Sequence, residues 1–238
     1  MSRAERFLDL YKNLEEVLSA RKGHDKKRRY ASPVLDFMNS QEGSSFREEL
    51  NLCRDVRNLL SHHASFDGEN AVEPAESLIG FLERLITYLE NPPTAESICM
   101  PASQLMCAKR NDILLEVLSK MEERGFSHVP VLEGKRLYGV LSISTIFSYF
   151  RDHPDEKLGR DARVEKLWEE LPLDKHTVER FEFASSDCAY DVLRERFSAG
   201  GPQKKRLAAV FVSKEGTDKG VLLGMITPWD MLRAEPDV

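Results

Sequence analysis

Gly139-Val140-Leu141-Ser142-Ile143-Ser144-Thr145 and Gly224-Met225-Ile226-Thr227-Pro228-Trp229-Asp230 are two copies of one pattern. Each has a glycine, two apolar residues, a hydroxyl residue, two spacers and a polar residue, and each reads as a strand that turns into a helix. Working outward, Ser127-His128-Val129-Pro130-Val131 precedes the first copy, and Arg206-Leu207-Ala208-Ala209-Val210 precedes the second. The pattern therefore belongs to an internal repeat, one unit from about Ala95 to Phe150 and the other from about Val178 to Leu232. Each unit reads as strand, helix, strand, turn, strand, helix. In the first, these lie near Leu105, Asn111–Glu123, Ser127–Leu132, Leu137–Leu141 and Ser142–Phe150. In the second, they lie near Phe181, Cys188–Ala199, Leu207–Ser213, Val221–Ile226 and Thr227–Leu232. The strands are short and apolar, as expected under covering helices. Asp161–Glu170 reads as one extra helix linking the units.

A hydroxyl at a strand-to-helix junction sits beside unpaired backbone N–H groups and the positive end of a helix dipole, which favours phosphate. A carboxylate one turn on can accept hydrogen bonds from the two hydroxyls of a ribose. Thr227 with Asp230 also reads as an N-cap followed by an acid in the first turn, which stabilises any helix. The two units together resemble the CBS domain, and the tandem pair resembles a Bateman module, over residues 95 to 238. The resemblance implies a sensor of an adenine nucleotide (AMP, ADP, ATP or a cyclic dinucleotide) that requires no metal. It implies that Thr227 and Asp230 form a phosphate and ribose pair, that Ser142 is the hydroxyl of the first unit, and that the basic His128 and Arg206 meet phosphates as they enter the second strand of each unit. Thr145 replaces the acid in the first unit, so one occupied site per chain is expected. His128 also reads as an ordinary half-buried histidine, and Trp229 as packing or lid surface. Nothing in this half has the form of a phosphate-binding Walker loop, a metal-spaced His/Cys cluster or a nucleophile motif.

Asn91-Pro92-Pro93-Thr94 separates this half from a helical one, since a double proline cannot continue a helix. Four helices are expected before it: Arg3–Ala20, Pro33–Met38, Phe46–Ala64 and Pro74–Leu89. The third carries a loaded stretch, Arg57-Asn58-Leu59-Leu60-Ser61-His62. Its helical spacing puts Leu52, Val56, Leu59, Leu60 and His63 toward the core, and Arg54, Asn58 and Ser61 outward, flanked by Arg57 and His62. The stretch resembles the signature of HEPN domains, and the size and helix count of this half agree with that family. Many members are metal-independent ribonucleases in which two motif copies meet across a dimer. Carried over, Arg57, Asn58 and His62 are the catalytic candidates: the histidine moves protons and the arginine stabilises the phosphorane. On one straight helix Arg57 and His62 lie about 140° apart, so two-fold pairing would be needed to bring them together. The basic stretch Lys26–Arg29 could hold an RNA backbone. Inactive HEPN members exist, and the same residues serve equally as a polar interface.

The chain has 238 residues, 41% hydrophobic and 31% charged, enough for a real core under a solvated surface. A net charge of −6 gives no overall basic field for gripping duplex DNA. The opening MSRAERFLDLYKNLEEV has no apolar leader segment, no apolar run is long enough for a membrane span, and Cys53, Cys99, Cys107 and Cys188 form no CxxC pair. A cytoplasmic protein is expected. The fold class is α+β, an all-α four-helix domain over residues 1–91, then two α/β repeats over 92–160 and 161–238. The functional expectation is a nucleotide-sensing homodimer whose helical domain is either a ribonuclease acting on RNA or a non-enzymatic unit for dimerisation or partner binding.

Overall fold

The computed structural model describes residues 1–21, 32–40, 42–62, 70, 72–200 and 205–234, with His62 described by its backbone alone. Lys26–Arg29 and His63 lie outside the described residues. The chain divides into two compact units, Met1–Pro92 and Pro93–Glu235. The fold is α+β, helical first and mixed thereafter. No helix among the described residues is long and apolar enough to cross a membrane.

The first unit contains α1 (Arg3–Arg21), α2 (Pro33–Met38), α3 (Arg47–His62) and α4 (Glu76–Glu90). Ser32 caps α2 by accepting the Leu35 N–H, and Pro33 opens it. One core joins all four helices, with Phe7, Leu14, Leu50, Ile79, Leu82 and Leu85 fully enclosed. The inward face of α3 differs from the expected one. Leu50 and Cys53 are buried and Val56 and Leu60 pack at the margin, whereas Leu52 and Leu59 are 55% and 38% exposed. Helix α3 has two apolar stripes about 100° apart, and packing selected the one that continues from buried Phe46. Arg57 follows Cys53 by one turn, so it is drawn toward α1 rather than turned outward.

In the second unit, α5 (Ala95–Ile98) and β1 (Met100–Pro101) lead into β2 (Ala108–Lys109), α6 (Leu114–Arg124), β3 (His128–Glu133), β4 (Arg136–Ser142) and α7 (Ile143–Asp152). The second repeat follows as β5 (Glu179–Ser185), α8 (Tyr190–Ser198), β6 (Arg206–Ser213), β7 (Gly224–Ile226) and α9 (Pro228–Arg233). Two sheets result, ordered β2-β3-β4 and β1-β7-β6-β5. Pairing is parallel for β2/β3 and β5/β6 and antiparallel for β3/β4 and β6/β7. Between the sheets lie Leu137, Val140, Phe181, Ala209, Phe211, Leu222 and Met225. No strand forms at Leu105, which falls between β1 and β2.

The repeats exchange their entry segments. Strand β1, in the entry segment of the first repeat, pairs with β7 of the second, Met100 against Met225. Ahead of it, the Pro93 carbonyl accepts the Tyr190 N–H at 2.8 Å, and the Ala95 N–H donates to Cys188 O at 2.8 Å. In return, Val164, Leu167 and Leu171 pack into the first repeat's core. The two motif glycines make room for these crossings. A Cβ on Gly139 would lie 2.1 Å from the Leu171 carbonyl oxygen, and one on Gly224 would lie 2.4 Å from Cys99 Sγ and 2.6 Å from the Met100 oxygen. The same exchange explains why no linking helix forms over 161–170, where only Val164–Leu167 makes a 3₁₀ turn. Its backbone is bonded outward: Val164 N–H to Asp112 O, Glu165 N–H to Arg110 O, and Ala162 and Leu171 oxygens to the Leu114 and Val140 N–H groups. Those groups are thereby taken from a helical ladder.

Candidate functional site

The two motif junctions fold alike and then diverge. In the second repeat, Thr227 has extended backbone and caps α9, with Pro228 in its first turn. The Thr227 N–H and hydroxyl both donate to Asp230 Oδ2, at 2.8 and 2.6 Å. The cap reading of this pair is therefore realised, through one carboxylate oxygen. No described residue donates to the other, Oδ1. Asp230 and Arg233 border a cleft of about 550 Å³, whose opposite wall is Pro93 and the run from Ser97 to Pro101 with Gln104. Gln104 and Arg233 had no signal in the sequence, because the repeat pattern covers neither.

In the first repeat, Ser142 caps α7 and Thr145 stands where Asp230 stands in the second. Both are buried. The Ser142 N–H donates to Thr145 Oγ1 at 3.1 Å, and that hydroxyl donates to Val140 O at 3.2 Å. Thr145 thus points into the fold. A residue with no signal in the repeat pattern, Glu179 at the start of β5, closes this junction. Its Oε1 accepts from Ser142 Oγ at 2.8 Å and Ser144 Oγ at 2.7 Å, with His176 Nδ1 at 3.2 Å, and its Oε2 lies 2.8 Å from His128 Nε2. Burial alone would push this carboxyl up. Hydrogen bonds from His128, His176, Ser144 and Ser142 outweigh it and hold the group far below the usual carboxylate range. The second nitrogen of His176 faces the Leu171 carbonyl at 3.3 Å. Both of that ring's partners accept, so both contacts are hydrogen bonds only when both nitrogens carry hydrogen.

His128 and Arg206 are not equivalent positions. His128 pairs with Ser142 across β3 and β4. In the second repeat Val210 pairs with Ile226, so the position facing Thr227 is Ala209, three residues beyond Arg206. Arg206 is exposed and stands beside Glu179 in the β5/β6 ladder. The structure thus gathers His128 and Ser142 around Glu179, with Arg206 on the adjoining strand. It leaves Thr227 and Asp230 as a separate pair.

In the helical unit, the Arg57 guanidinium lies over the Tyr11 ring at 5.6 Å and 3.9 Å from Glu15, and donates to Asn58 Oδ1 at 3.2 Å. Arg57 and Asn58 are together, while the position of the His62 side chain lies outside the described residues. Burial pushes the Cys53 thiol up to about 12 and raises Cys99, Cys107 and Cys188 as well, so none is poised as a thiolate nucleophile. Among the described residues no three or more His, Cys, Asp and Glu side chains gather as a metal would need.

Residues 95–152, from the start of α5 to the end of α7, match the family model of the CBS domain. Glu179–Arg233 repeats the strand and helix order of Ala108–Asp152 within this stretch. Among solved structures, the chain is similar to CBSX2 in complex with AMP, at 16% identity and a TM-score of 0.42, covering 59% of this chain and 94% of that one. It is similar to a hemolysin-like protein containing a CBS domain from Oenococcus oeni PSU, at 15% and 0.42, covering 66% and 98%. CbpB in complex with c-di-AMP aligns at 16% and 0.46, covering 65% and 91%. No curated protein sequence matches the chain.

Proposed function

We infer that the unit from Pro93 onward is a regulatory module that takes one adenine nucleotide per chain at Asp230. The observation that carries this reading is the division of labour on that carboxylate. Oδ2 is fixed by Thr227, and Oδ1 is left for a ribose hydroxyl at the edge of a cleft of nucleotide size. Arg233 on the same rim offers its guanidinium to a phosphate. The first repeat contributes no second ribose contact, because Thr145 is turned inward.

Calorimetry on the full chain tests this, starting from AMP and c-di-AMP, the ligands of CBSX2 and CbpB, and extending to ADP and ATP. Asp230→Asn keeps an oxygen for both Thr227 donors, so the cap survives while the ribose acceptor and its charge are lost. Affinity should fall about 5- to 150-fold, or about 1–3 kcal/mol, with little change in melting temperature. Asp230→Ala should lose a similar affinity and, in addition, about 0.5–2 kcal/mol of cap stability. Unchanged binding in Asp230→Asn removes the site.

The helical unit serves, on this reading, as a HEPN-like partner-binding unit. Arg57 supports it, since a guanidinium held over Tyr11 and beside Glu15 is committed to packing α3 on α1. The whole is a cytoplasmic homodimer. Helix α7 presents Ile143, Phe147 and Phe150 at i, i+4 and i+7, and α9 presents Trp229 and Leu232, with Phe147 and Trp229 each 73% exposed. Two equivalent helices of an internal repeat carrying apolar faces suit an isologous pair. The ribonuclease reading of Arg57, Asn58 and His62 rests on RNA cleavage, which is tested below.

A further inference from the structure

Glu179 is surrounded as a bound anion would be. Its donors come from separate parts of the chain: His128 opens β3, Ser142 and Ser144 span the β4–α7 junction, and His176 precedes β5. Glu179 lies 37 residues from Ser142 and 51 from His128 in sequence, so this is a tertiary assembly and not a local turn. Both carboxylate oxygens are engaged, and the side chains of His128, His176 and Glu179 are largely or wholly withdrawn from solvent. In the second repeat the corresponding hydroxyl, Thr227, bonds only to Asp230 of its own helix among the described residues, and Ala209 replaces the imidazole.

We propose that the first repeat's junction is an oxyanion site that the chain fills with its own Glu179 carboxylate, in the place where the second repeat is open. Two hydroxyls and two imidazole N–H groups are donors that suit a phosphoryl group as well as a carboxylate. The carboxylate reaches this cradle from the other repeat, so it acts as a built-in ligand that ties the two repeats together. That nucleotide phosphate is thereby confined to the second repeat rests on the Asp230 reading above; the oxyanion site itself does not.

The test is anion rescue of the emptied cradle in the full chain, with no nucleotide present. Glu179→Ala removes the carboxylate and leaves the four donors facing a hole. Its melting temperature is measured by tryptophan fluorescence near neutral pH, in sodium phosphate and in sodium acetate, each against sodium chloride at equal ionic strength. The variant should melt well below wild type in chloride and regain part of the loss in phosphate or acetate, rising with anion concentration as binding to the folded state requires. Wild type and Glu179→Gln, in which the place is filled, should show only the small general effect of each salt. If the alanine variant gains no more than wild type, or if Glu179→Gln gains as much, the proposal is overturned. If Glu179→Ala does not fold in chloride, its refolding yield decides: recovery in phosphate or acetate supports the site, and failure to recover overturns it. A failure of the nucleotide reading appears instead as absent binding heat in wild type, and the two results are independent.

Discussion

Gly139→Ala tests the exchange of entry segments most directly. The new methyl would lie 2.1 Å from the Leu171 oxygen and 2.4 Å from its carbonyl carbon, so the crossing segment must retreat by roughly 1.3 Å to reach the 3.4 Å of ordinary contact. Leu171 is fully buried, and its oxygen holds the neighbouring Val140 N–H at 2.9 Å, so retreat breaks that bond in the interior. Overpacking costs about 1–3 kcal/mol. An unpaired buried backbone group adds about 1–3 kcal/mol. The stiffer unfolded chain returns about 0.4–1 kcal/mol. A net loss of about 1–5.6 kcal/mol should lower the melting temperature by roughly 2–22 °C in a unit of this size. Both tryptophans, Trp168 and Trp229, lie in the second unit, and Trp168 stacks on Tyr138 beside the substituted glycine at 3.8 Å between ring centres. Tryptophan fluorescence therefore reports on this unit alone. Gly200→Ala, where nothing lies within 4 Å of the added methyl, is the control. If Gly139→Ala melts with the control, the close crossing does not exist in solution and the argument from it fails.

Other expectations concern charge, assembly and chemistry. The Glu179 carboxyl titrates below its ordinary range when folded, so the unfolded chain takes up the proton first. Its contribution is complete above about pH 4.5 and drains away as the pH falls toward the lower folded value. Urea midpoints between pH 6 and pH 3 should therefore fall less steeply in Glu179→Gln than in wild type, by up to about 1.4 kcal/mol per pH unit; parallel curves would refute this. Phe147→Glu places a charge in the exposed stripe of α7 and should turn a dimer into a monomer in light scattering at micromolar concentration. A wild-type monomer, with and without nucleotide, would remove the dimer altogether. Purified chain should leave single-stranded RNA intact with or without AMP or ATP. Cleavage that disappears in His62→Ala would make the helical unit a ribonuclease and displace the interaction reading.

The tandem junctions were legible because they are local. A glycine before two apolar residues and a capping hydroxyl declares a strand running into a helix wherever it stands, and Ser142 and Thr227 both cap as read. What escaped depends on distant pairing. His128 and Arg206 both open the second strand of their repeat, as read, but only His128 faces its motif hydroxyl, because the register of β6 against β7 is set by Val210 opposite Ile226. Glu179 was invisible because its four partners come from elsewhere in the chain or from a turn with no motif. The His176/Glu179 spacing was the one local hint. On α3, two apolar stripes competed on one helix, and spacing alone could not say whether Leu52 or Cys53 would meet the core.

The stitching of residues 93–101 into the second repeat has a mechanical consequence. The Pro93, Ala95 and Glu96 backbone bonds to Tyr190, Cys188 and Ser186, followed by Met100 against Met225, act as rivets in series along the chain that leaves the first unit at Pro92. Tension on that tether is taken up first by the second repeat, although the first repeat comes next in the chain. The tether also forms one wall of the cleft at Asp230. A molecule wedged there would strain the rivets themselves, giving a load path to the helical unit that bypasses the first repeat.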